Sequence, residues 1–329
     1  MREYFIKPNE DLLDPKLDPI FKALFTSNTK ESKGALKDFL TVFIERKVVE
    51  VSVMANEKPI THSNEKQIRY DFNCQFNNGE LATVEMALKQ RPDELVRSEY
   101  YLAESFTSQE NKGEDNYDDL KNAYQITLLA EGKKFKDEAF VHNFKYYDEK
   151  NRVSLEGKTA IITLEMSKIK EKNLSKPDKA GIWGFFLKYA NDKSKINILN
   201  DIIKYEEGVK MAVQALSRIS LNQEMRLKAI RAQKMVKDYL SDCARAKKEG
   251  RAEERAKANL EIAEERAKAN LEIAEERAKA NLEIAEERAK AEQEKLEIVK
   301  NLLNINLSLE QISQTTGLSI EEIKMLRTD

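Results

Sequence analysis

The sequence is poor in the residue types from which many enzyme sites are built. Its 329 residues include two cysteines, two histidines and one tryptophan. Cys74 and Cys243 are far apart in the sequence, which excludes a CxxC zinc motif and a disulfide framework and favours a reducing compartment. Because only His62 and His142 are available, zinc hydrolases and histidine-based nucleases are poorly supported.

Long apolar segments are also absent from the sequence. No run of eighteen apolar residues occurs, and the first residues, MREYFIKPNEDLLD, lack the apolar region of a signal peptide. We therefore expect a cytoplasmic protein without a membrane partner. Charged residues make up 35% of the chain, but the formal net charge is −2. Overall charge neither supports nor excludes nucleic-acid binding, so only local features are informative.

Residues 1–210 show the mixed periodicities of an α/β domain. Apolar residues spaced by three and four predict helices in PKLDPIFKALF and KGALKDFLTVFIERK. Alternating patterns predict strands in VVEVSVMA, QIRYDFNCQF, ELATVEM, NAYQITLLA, EAFVHNFKYY and TAIITLEMSKI. The Asn78–Gly79 pair predicts a hairpin that makes the second and third strands antiparallel. The expected fold is a mixed sheet flanked by helices.

Residues 211–300 are dominated by an internal repeat. EERAKANLEIA occurs at 253–263, 264–274 and 275–285. Eleven residues make close to three helical turns, so the repeated leucines and alanines form a stripe along one long, charged helix. The stripe is thin and half of it is alanine. It is compatible with a coiled coil that pairs two chains and with a solvated single helix.

Residues 301–329 form a predicted small helical tail. Ser308 and Ser319 each precede a short helical segment and are followed three residues later by Gln or Glu, as in a capping box. The spacing of Ser313, Gly317 and Ile323 matches that of a helix-turn-helix. The second helix, IEEIKMLR, begins with acidic residues, however. A packing or dimerising module is therefore an equal alternative to a DNA-reading one.

Two carboxylates are expected to face each other across the predicted hairpin. Asp71 and Glu85 are fourteen residues apart, one on each strand. They would repel each other unless a cation joined them. Mg²⁺ prefers one or two carboxylates together with waters and substrate phosphates, and a metal held in this way can activate water. The alternative is an edge strand on which Glu85 belongs to a solvated face.

Several separated blocks occur in the order found in a known family: LDPIFKALF, RYDFNCQFNNGELATVEM and VRSEYYLAESFTSQENKGEDNYDDLKNAYQI. The chain resembles the Rpn family of PD-(D/E)XK nucleases, also labelled recombination-promoting nucleases or transposases. The resemblance covers residues 14–190 and the tail around TGLSIEEI. It implies a restriction-endonuclease-like fold that hydrolyses DNA phosphodiesters with Mg²⁺. A link to recombination or mobile elements comes from the family label alone.

The resemblance also implies roles for individual residues. Asp71 and Glu85 match the metal-binding Asp and the Glu of the E-x-(K/Q) signature. Asp18 and Lys22 match a D-x-x-F-K block and join the catalytic candidates. Arg97 begins the R-x-x-Y-Y block and is the DNA-binding candidate.

One position departs from the family pattern. Ala87 stands where many members have Lys or Gln, and a methyl group cannot orient a nucleophilic water. Lys89 is predicted on the same strand face, one pleat repeat further on, and is the first candidate to compensate. Lys22 is the second. The chain is thus expected to be a Mg²⁺-dependent DNA endonuclease that pairs as a homodimer through the long helix. The alternative is a degenerate scaffold that binds DNA or assembles without cutting.

Each remaining residue also has a structural interpretation. Asp18 can be the N-cap of the first helix, since Asp is a common capping residue. Arg97 can form a salt bridge within the domain instead of clamping a phosphate. Tyr100 and Tyr101 are more typical of a core than of DNA stacking, and Trp183 is expected in the core.

Overall fold

The computed structural model describes residues 4–54, 71–77, 79–89, 91–109, 116–171, 174, 178–305 and 307–326. The chain divides into two compact units, residues 1–240 and 241–329. The three-part division predicted from the sequence stays a prediction. In the structure, residue 210 lies within one helix and residue 300 within another.

A mixed β-sheet forms the centre of the first unit. Within the described residues it has six strands in the order β1-β2-β3-β4-β8-β5. Their bounds are Val51–Met54 (β1), Phe72–Phe76 (β2), Glu80–Ala87 (β3), Ala123–Leu129 (β4), Val141–Phe144 (β5) and Thr159–Glu165 (β8). β3, β4 and β8 are parallel to one another, and the other neighbours are antiparallel. A separate short pair consists of Tyr147–Asp148 (β6) and Val153–Ser154 (β7). The predicted mixed sheet is confirmed.

The helices of the described residues have the bounds Asp18–Thr26 (α1), Lys30–Ile44 (α2), Glu94–Thr107 (α3), Lys179–Tyr189 (α4), Ile196–Ile202 (α5), Glu207–Leu221 (α6), Gln223–Asn304 (α7), Leu309–Thr316 (α8) and Ile320–Leu326 (α9). The two N-terminal helices predicted from periodicity are confirmed as α1 and α2. The long charged helix is confirmed as α7. None of the helices described combines the length and hydrophobicity that a membrane crossing requires.

The sequence of helix α1 explains both where the helix begins and which of its faces packs against the core. Pro19 lies in its first turn, where the missing N–H costs nothing and the fixed φ suits the helix. Phe21 and Phe25, one turn apart, are buried on its inner face. Phe72 of β2 packs against both rings at centroid distances of 5.5 and 5.4 Å. Burial of these aromatic rings holds α1 against β2, the strand that follows Asp71.

The predicted core position of Trp183 is confirmed. Its side chain on α4 is 1% exposed and packs against Phe25 and Phe39. Its indole N–H donates to Asp38 Oδ2 at 2.9 Å, which satisfies the polar edge of the ring. On the opposite face of the sheet, α3 packs through Leu102 against Leu81. The sheet therefore has helices on both faces, as expected of an α/β domain.

The second unit ends in a small helical cluster. Val299 of α7, Ile312 of α8 and Ile323 of α9 are fully buried together. The predicted capping box at Ser308 is confirmed, and Gly317 takes a left-handed conformation with φ 75° between α8 and α9. Along the repeats, by contrast, the leucines at 260, 271 and 282 are 62–63% exposed. The tail has its own core, whereas the repeat stripe has none within the described chain.

Candidate active site

The β2–β3 hairpin brings Asp71 and Glu85 together. Phe72 is opposite Val84 in the antiparallel register, so Asp71, immediately before β2, lies opposite Glu85. The Asp71 N–H donates to Glu85 Oε1 at 3.1 Å, and the Met86 N–H donates to Asp71 Oδ2 at 2.6 Å. The backbone of each strand end therefore holds the carboxylate of the other. Asp71 itself lies just before β2. The first four residues of the predicted strand QIRYDFNCQF, residues 67–70, lie outside the described residues.

Helix α1 adds a cation and a third carboxylate to this pair. Lys22 Nζ is 2.7 Å from Asp18 Oδ1 and 3.8 Å from Asp71 Oδ1. Asp18 is the first residue of the helix, and the N-cap is Leu17, which has no capping side chain. The interpretation of Asp18 as a helix cap is therefore wrong. Its carboxylate is instead paired with Lys22 at the edge of the site.

Helix α3 supplies a second cation on the other side. Arg97 Nη2 is 3.6 Å from Glu85 Oε2, which is the ion pair considered above. Arg97 Nε donates to the Tyr101 hydroxyl at 2.8 Å, and its guanidinium lies 4.9 Å from the centroid of that ring. Tyr101 thus orients Arg97 towards Glu85. Tyr100 is 55% exposed and is not a core residue. A role of Arg97 in DNA binding stays a prediction.

Burial dominates the electrostatics of the two carboxylates. It raises the pKa of Asp71, and a hydrogen bond with Asp18 raises it further, although the Met86 N–H and Lys22 act in the opposite direction. Burial and the neighbouring Asp71 charge raise the pKa of Glu85, against the effect of Arg97. Two buried carboxylates that resist ionisation together are a pair that a bound cation would stabilise.

The donor set fits Mg²⁺ better than zinc. Within the described residues there is no group of three or more His, Cys, Asp or Glu side chains arranged to hold a metal ion. Structural and catalytic zinc sites need three or four such ligands. Mg²⁺ keeps several waters and uses one or two carboxylates with substrate phosphates. Asp71 and Glu85 match that requirement, because their two buried carboxylates face each other across the hairpin.

The residues predicted to compensate for Ala87 lie in different places. β3 ends at Ala87, and Lys89 lies in the bend that follows, so the expected extension of the strand face to Lys89 is wrong. Within the part of the chain described, Lys89 makes no ion pair with either carboxylate; it borders a cavity instead. Among the described lysines, Lys22 lies beside Asp71. The catalytic assignment of each stays a prediction.

Sequence reasoning missed a row of polar side chains beneath α3. Thr83 of β3 is hydrogen-bonded to Gln125 of β4, whose amide donates to Thr127 Oγ1 at 3.2 Å. Ser98 of α3 shares a 2.9 Å hydrogen bond with Thr127. Thr127 is opposite Glu85 in the parallel register, so this row continues the polar face of the site into the sheet. The sequence feature that could have predicted this row is the pair of polar residues, Gln125 and Thr127, at alternate positions of the strand segment NAYQITLLA.

His142, the histidine that the structure describes, contributes nothing to this site. His142 of β5 has its Nε2 3.1 Å from Asp137 Oδ2 and stacks against Phe144. Three strand intervals separate it from Glu85. His62 lies outside the described residues.

A comparison with known families agrees with this geometry. A family model described as PD-(D/E)XK nuclease family transposase matches residues 15–246, more than half of the chain. The chain belongs to this family. The match contains Asp18, Lys22, Asp71, Glu85 and Arg97 and ends before the repeats. No curated protein and no solved structure matches the chain.

Membership in the PD-(D/E)XK nuclease family transposases confirms the resemblance drawn from the sequence blocks. It identifies the mixed α/β unit as a PD-(D/E)XK fold and supports a nuclease-type or transposase-type function. PD-(D/E)XK nucleases generally use divalent metal ions. The paired carboxylates of Asp71 and Glu85 are the candidate ligands for such an ion in this chain.

Proposed function

We propose that this protein is a Mg²⁺-dependent endonuclease that hydrolyses DNA phosphodiesters at the site formed by Asp71 and Glu85. The observation that carries the proposal is the mutual arrangement of these carboxylates. Each accepts a backbone N–H from the facing strand end, at 3.1 and 2.6 Å. Family membership supplies the reaction class. Preorganised carboxylates are what a metal-assisted hydrolysis requires from the protein.

The protein contributes position and charge in this mechanism. Asp71 and Glu85 would hold Mg²⁺, which when bound supplies an activated water and stabilises charge on the displaced oxygen. The Met86 N–H fixes Asp71, so that this carboxylate keeps one orientation. Arg97, held by Tyr101, fixes Glu85 and offsets part of its charge. These contacts reduce the reorganisation needed when substrate arrives.

Lys22 is the residue best placed to assist the attacking water. Its ammonium is 3.8 Å from Asp71 Oδ1, on the helix that faces the hairpin end. Its side chain is 22% exposed, so it is accessible to substrate yet held by Asp18. A cation there can orient water and stabilise a developing negative charge. We therefore assign to Lys22 the role that Ala87 cannot fill.

A non-cutting scaffold is the second candidate function. It is favoured by one observation, that Ala87 follows Glu85 at i+2 on the same strand face and offers only a methyl group. A protein of this kind would retain the fold and bind DNA or assemble without hydrolysis. For both candidate functions, a role in recombination or in mobile elements rests on the family description alone.

The long helix gives a route to a homodimer. The leucines at 260, 271 and 282 recur every eleven residues on α7 and are 62–63% exposed. Pairing two such helices would bury the leucines, and burial of apolar surface favours association. A dimer would also supply two sites, as double-strand cleavage requires. Because the repeats are identical, two paired helices could be aligned in several registers, and residues outside the repeats would have to select one of them.

The proposal is tested with supercoiled plasmid, purified full-length protein and Mg²⁺. Wild type is expected to nick or linearise the plasmid, whereas Asp71→Ala and Glu85→Ala are expected to be inactive. EDTA should abolish cutting by wild type. Circular dichroism and thermal unfolding of each variant separate loss of chemistry from loss of fold.

The outcomes distinguish the two candidate functions. Cutting by wild type that disappears in both variants supports the nuclease. Cutting that persists in both folded variants places the chemistry elsewhere and overturns the assignment. An intact plasmid with wild type, together with retained DNA binding, supports the scaffold.

A further inference from the structure

Among the described residues, four lysines line a cavity of about 350 Å³. Lys16 and Lys188 lie on one side, Lys89 follows β3, and Lys237 belongs to the first part of α7. We call this cavity the lysine cleft. Its size is within the range of small-ligand sites in proteins, about 300–1,000 Å³.

The lysine cleft is continuous with the site through the chain. Lys89 is four residues beyond Glu85, which limits their Cα separation to about 14 Å. Lys16 is two residues before Asp18, at the start of α1. The Ala130 N–H, on the cleft wall, donates to the Ala87 carbonyl at 2.9 Å. A polymer held at the paired carboxylates would therefore extend into the cleft.

Two of the four lysines are already committed to structure. Lys16 Nζ is 2.6 Å from Asp14 Oδ1 and 3.2 Å from the Lys188 carbonyl. Lys188 Nζ donates to the Ile169 carbonyl at 3.0 Å. These contacts fix both ammonium groups in the cleft wall, and the charge of Lys16 is offset by Asp14.

The other two lysines have their charge available. Lys89 and Lys237 are both exposed, and neither makes an ion pair with any residue that the structure describes. Of the described residues on the wall, Glu131 is the remaining acidic group, since Asp14 is paired with Lys16. The ammonium groups of Lys89 and Lys237 thus outnumber the carboxylate of Glu131, so the cleft is expected to attract an anion.

The wall next to Glu131 is held by a buried anchor. The Glu165 carboxylate is fully buried, accepts the N–H groups of Lys134 and Phe135, and is paired with Lys168. The Ser167 hydroxyl donates to the Gly132 carbonyl. The loop after β4 is therefore attached to the end of β8, and the cleft has a fixed rather than a pliable wall.

We propose that the lysine cleft binds the phosphodiester backbone of the DNA strand beside the site, with Lys89 and Lys237 as its phosphate contacts. The inference rests on the proposed function for the identity of the polymer. Lysine acts as a point charge towards phosphate, so the contacts position the strand without reading its sequence. On a strand that rises 3.4 Å per nucleotide, the limit of about 14 Å corresponds to about four nucleotides from Glu85. Lys237 would make the start of α7 part of the DNA-binding surface.

The test is the salt dependence of DNA binding by the full chain. Fluorescence anisotropy of a labelled duplex is measured in EDTA over a range of KCl concentrations, so that no cleavage occurs. Lys89→Ala/Lys237→Ala is compared with Lys47→Ala/Lys121→Ala, which removes the same charge. Lys47 and Lys121 are exposed and lie near the turn end of the β2–β3 hairpin, away from Asp71.

A lysine that contacts a phosphate contributes about one unit to the slope of log K against log[salt]. The cleft double variant is therefore expected to lose about two units of slope and to bind about tenfold or more weakly at low salt. The control pair is expected to keep the wild-type slope. Lys89→Arg/Lys237→Arg should also keep it, because the charges remain.

Equal slopes in the two double variants, or no measurable binding by folded wild type, would overturn the inference. The proposed function is judged separately by plasmid cutting. If wild type cuts and the cleft variant keeps its slope, only the cleft assignment fails. If wild type does not cut but the cleft variant alone loses slope, the nuclease proposal fails and the cleft stands as the binding surface of a scaffold.

Discussion

Asp71 and Glu85 are joined by a hydrogen bond from the Asp71 peptide N–H to Glu85 Oε1, 3.1 Å long. The Met86 N–H returns a 2.6 Å bond to Asp71 Oδ2. The carboxylates of two strand ends are thus fixed by backbone groups that mutation of other side chains leaves in place. Substitutions around the site can therefore be interpreted as changes in charge or donors, with the carboxylate frame retained.

Lys22→Ala is expected to lower the cleavage rate at saturating DNA by about a hundredfold, the usual cost of removing one preorganised donor. DNA affinity should change little, since Lys22 lies 3.8 Å from Asp71 and is directed at the reacting region. Single-turnover cleavage measures the rate and anisotropy measures the affinity. Lys22→Arg should recover part of the rate.

Lys47→Ala is the matched control for this experiment, because Lys47 is an exposed lysine at the other end of the hairpin. An unchanged rate in folded Lys22→Ala would remove Lys22 from the mechanism. Lys89 would then be the next lysine to test as the residue that assists the attacking water.

Ala87→Gln is expected to raise the cleavage rate, by about tenfold or more if water orientation limits the wild type. Ala87 is the last residue of β3 and shares the face of Glu85, so a Gln amide there reaches the region where water would attack. Ala87→Leu adds a similar volume without a polar group and serves as the control. A rate gain of the same size in Ala87→Leu would mean that packing, not water orientation, is limiting.

Stability without metal should fall as pH rises. The pKa of Glu85 and that of Asp71 are raised in the folded protein, mainly by burial. Above the ordinary carboxyl pKa of about 4 the unfolded chain releases protons that the folded state retains, so the free energy of unfolding decreases as pH rises through the raised values. Glu85→Gln cannot ionise and should be more stable than wild type at pH 8 by roughly 1–3 kcal/mol.

Urea denaturation at acidic and at alkaline pH, with and without Mg²⁺, measures this difference. Mg²⁺ should stabilise wild type at alkaline pH, because it binds the folded state, and should stabilise Glu85→Gln much less. Glu99→Gln, on the exposed side of α3, controls for a general change of charge. A wild type that is equally stable at the two pH values without metal would contradict the electrostatic account of the site.

Replacing the leucines at 260, 271 and 282 by serine is expected to shift the protein from dimer to monomer. These side chains are 62–63% exposed in the single chain, and their burial against a second helix would be lost. Sedimentation velocity of the full chain over a range of concentrations measures the change.

The asparagines at 259, 270 and 281 precede the three leucines in the repeats. Replacing them by serine is the matched control and should leave the dimer intact. Identical sedimentation of wild type and the leucine variant would show that the repeat stripe does not pair two chains.

Local patterns were sufficient for most of the secondary structure. The spacing of apolar residues located α1 and α2, and alternation located β3, β4 and β8, because each pattern depends only on which side chains a neighbouring layer must bury. The Asn78–Gly79 pair was enough to make β2 and β3 antiparallel, and with them to bring Asp71 towards Glu85. Capping residues identified α8 and α9 for the same local reason.

The contacts made by the long side chains depended on the tertiary structure. Whether Lys22 or Lys89 reaches the carboxylates is decided by where α1 packs and where β3 ends, and no local rule contains either fact. The partnership of Arg97 with Tyr101 depends on α3 lying across the sheet. Lys237 joins Lys16 and Lys89 because helix packing brings together segments separated by more than a hundred residues. Periodicity records which side of an element is buried, whereas a site is made from distances between elements, which only the folded chain sets.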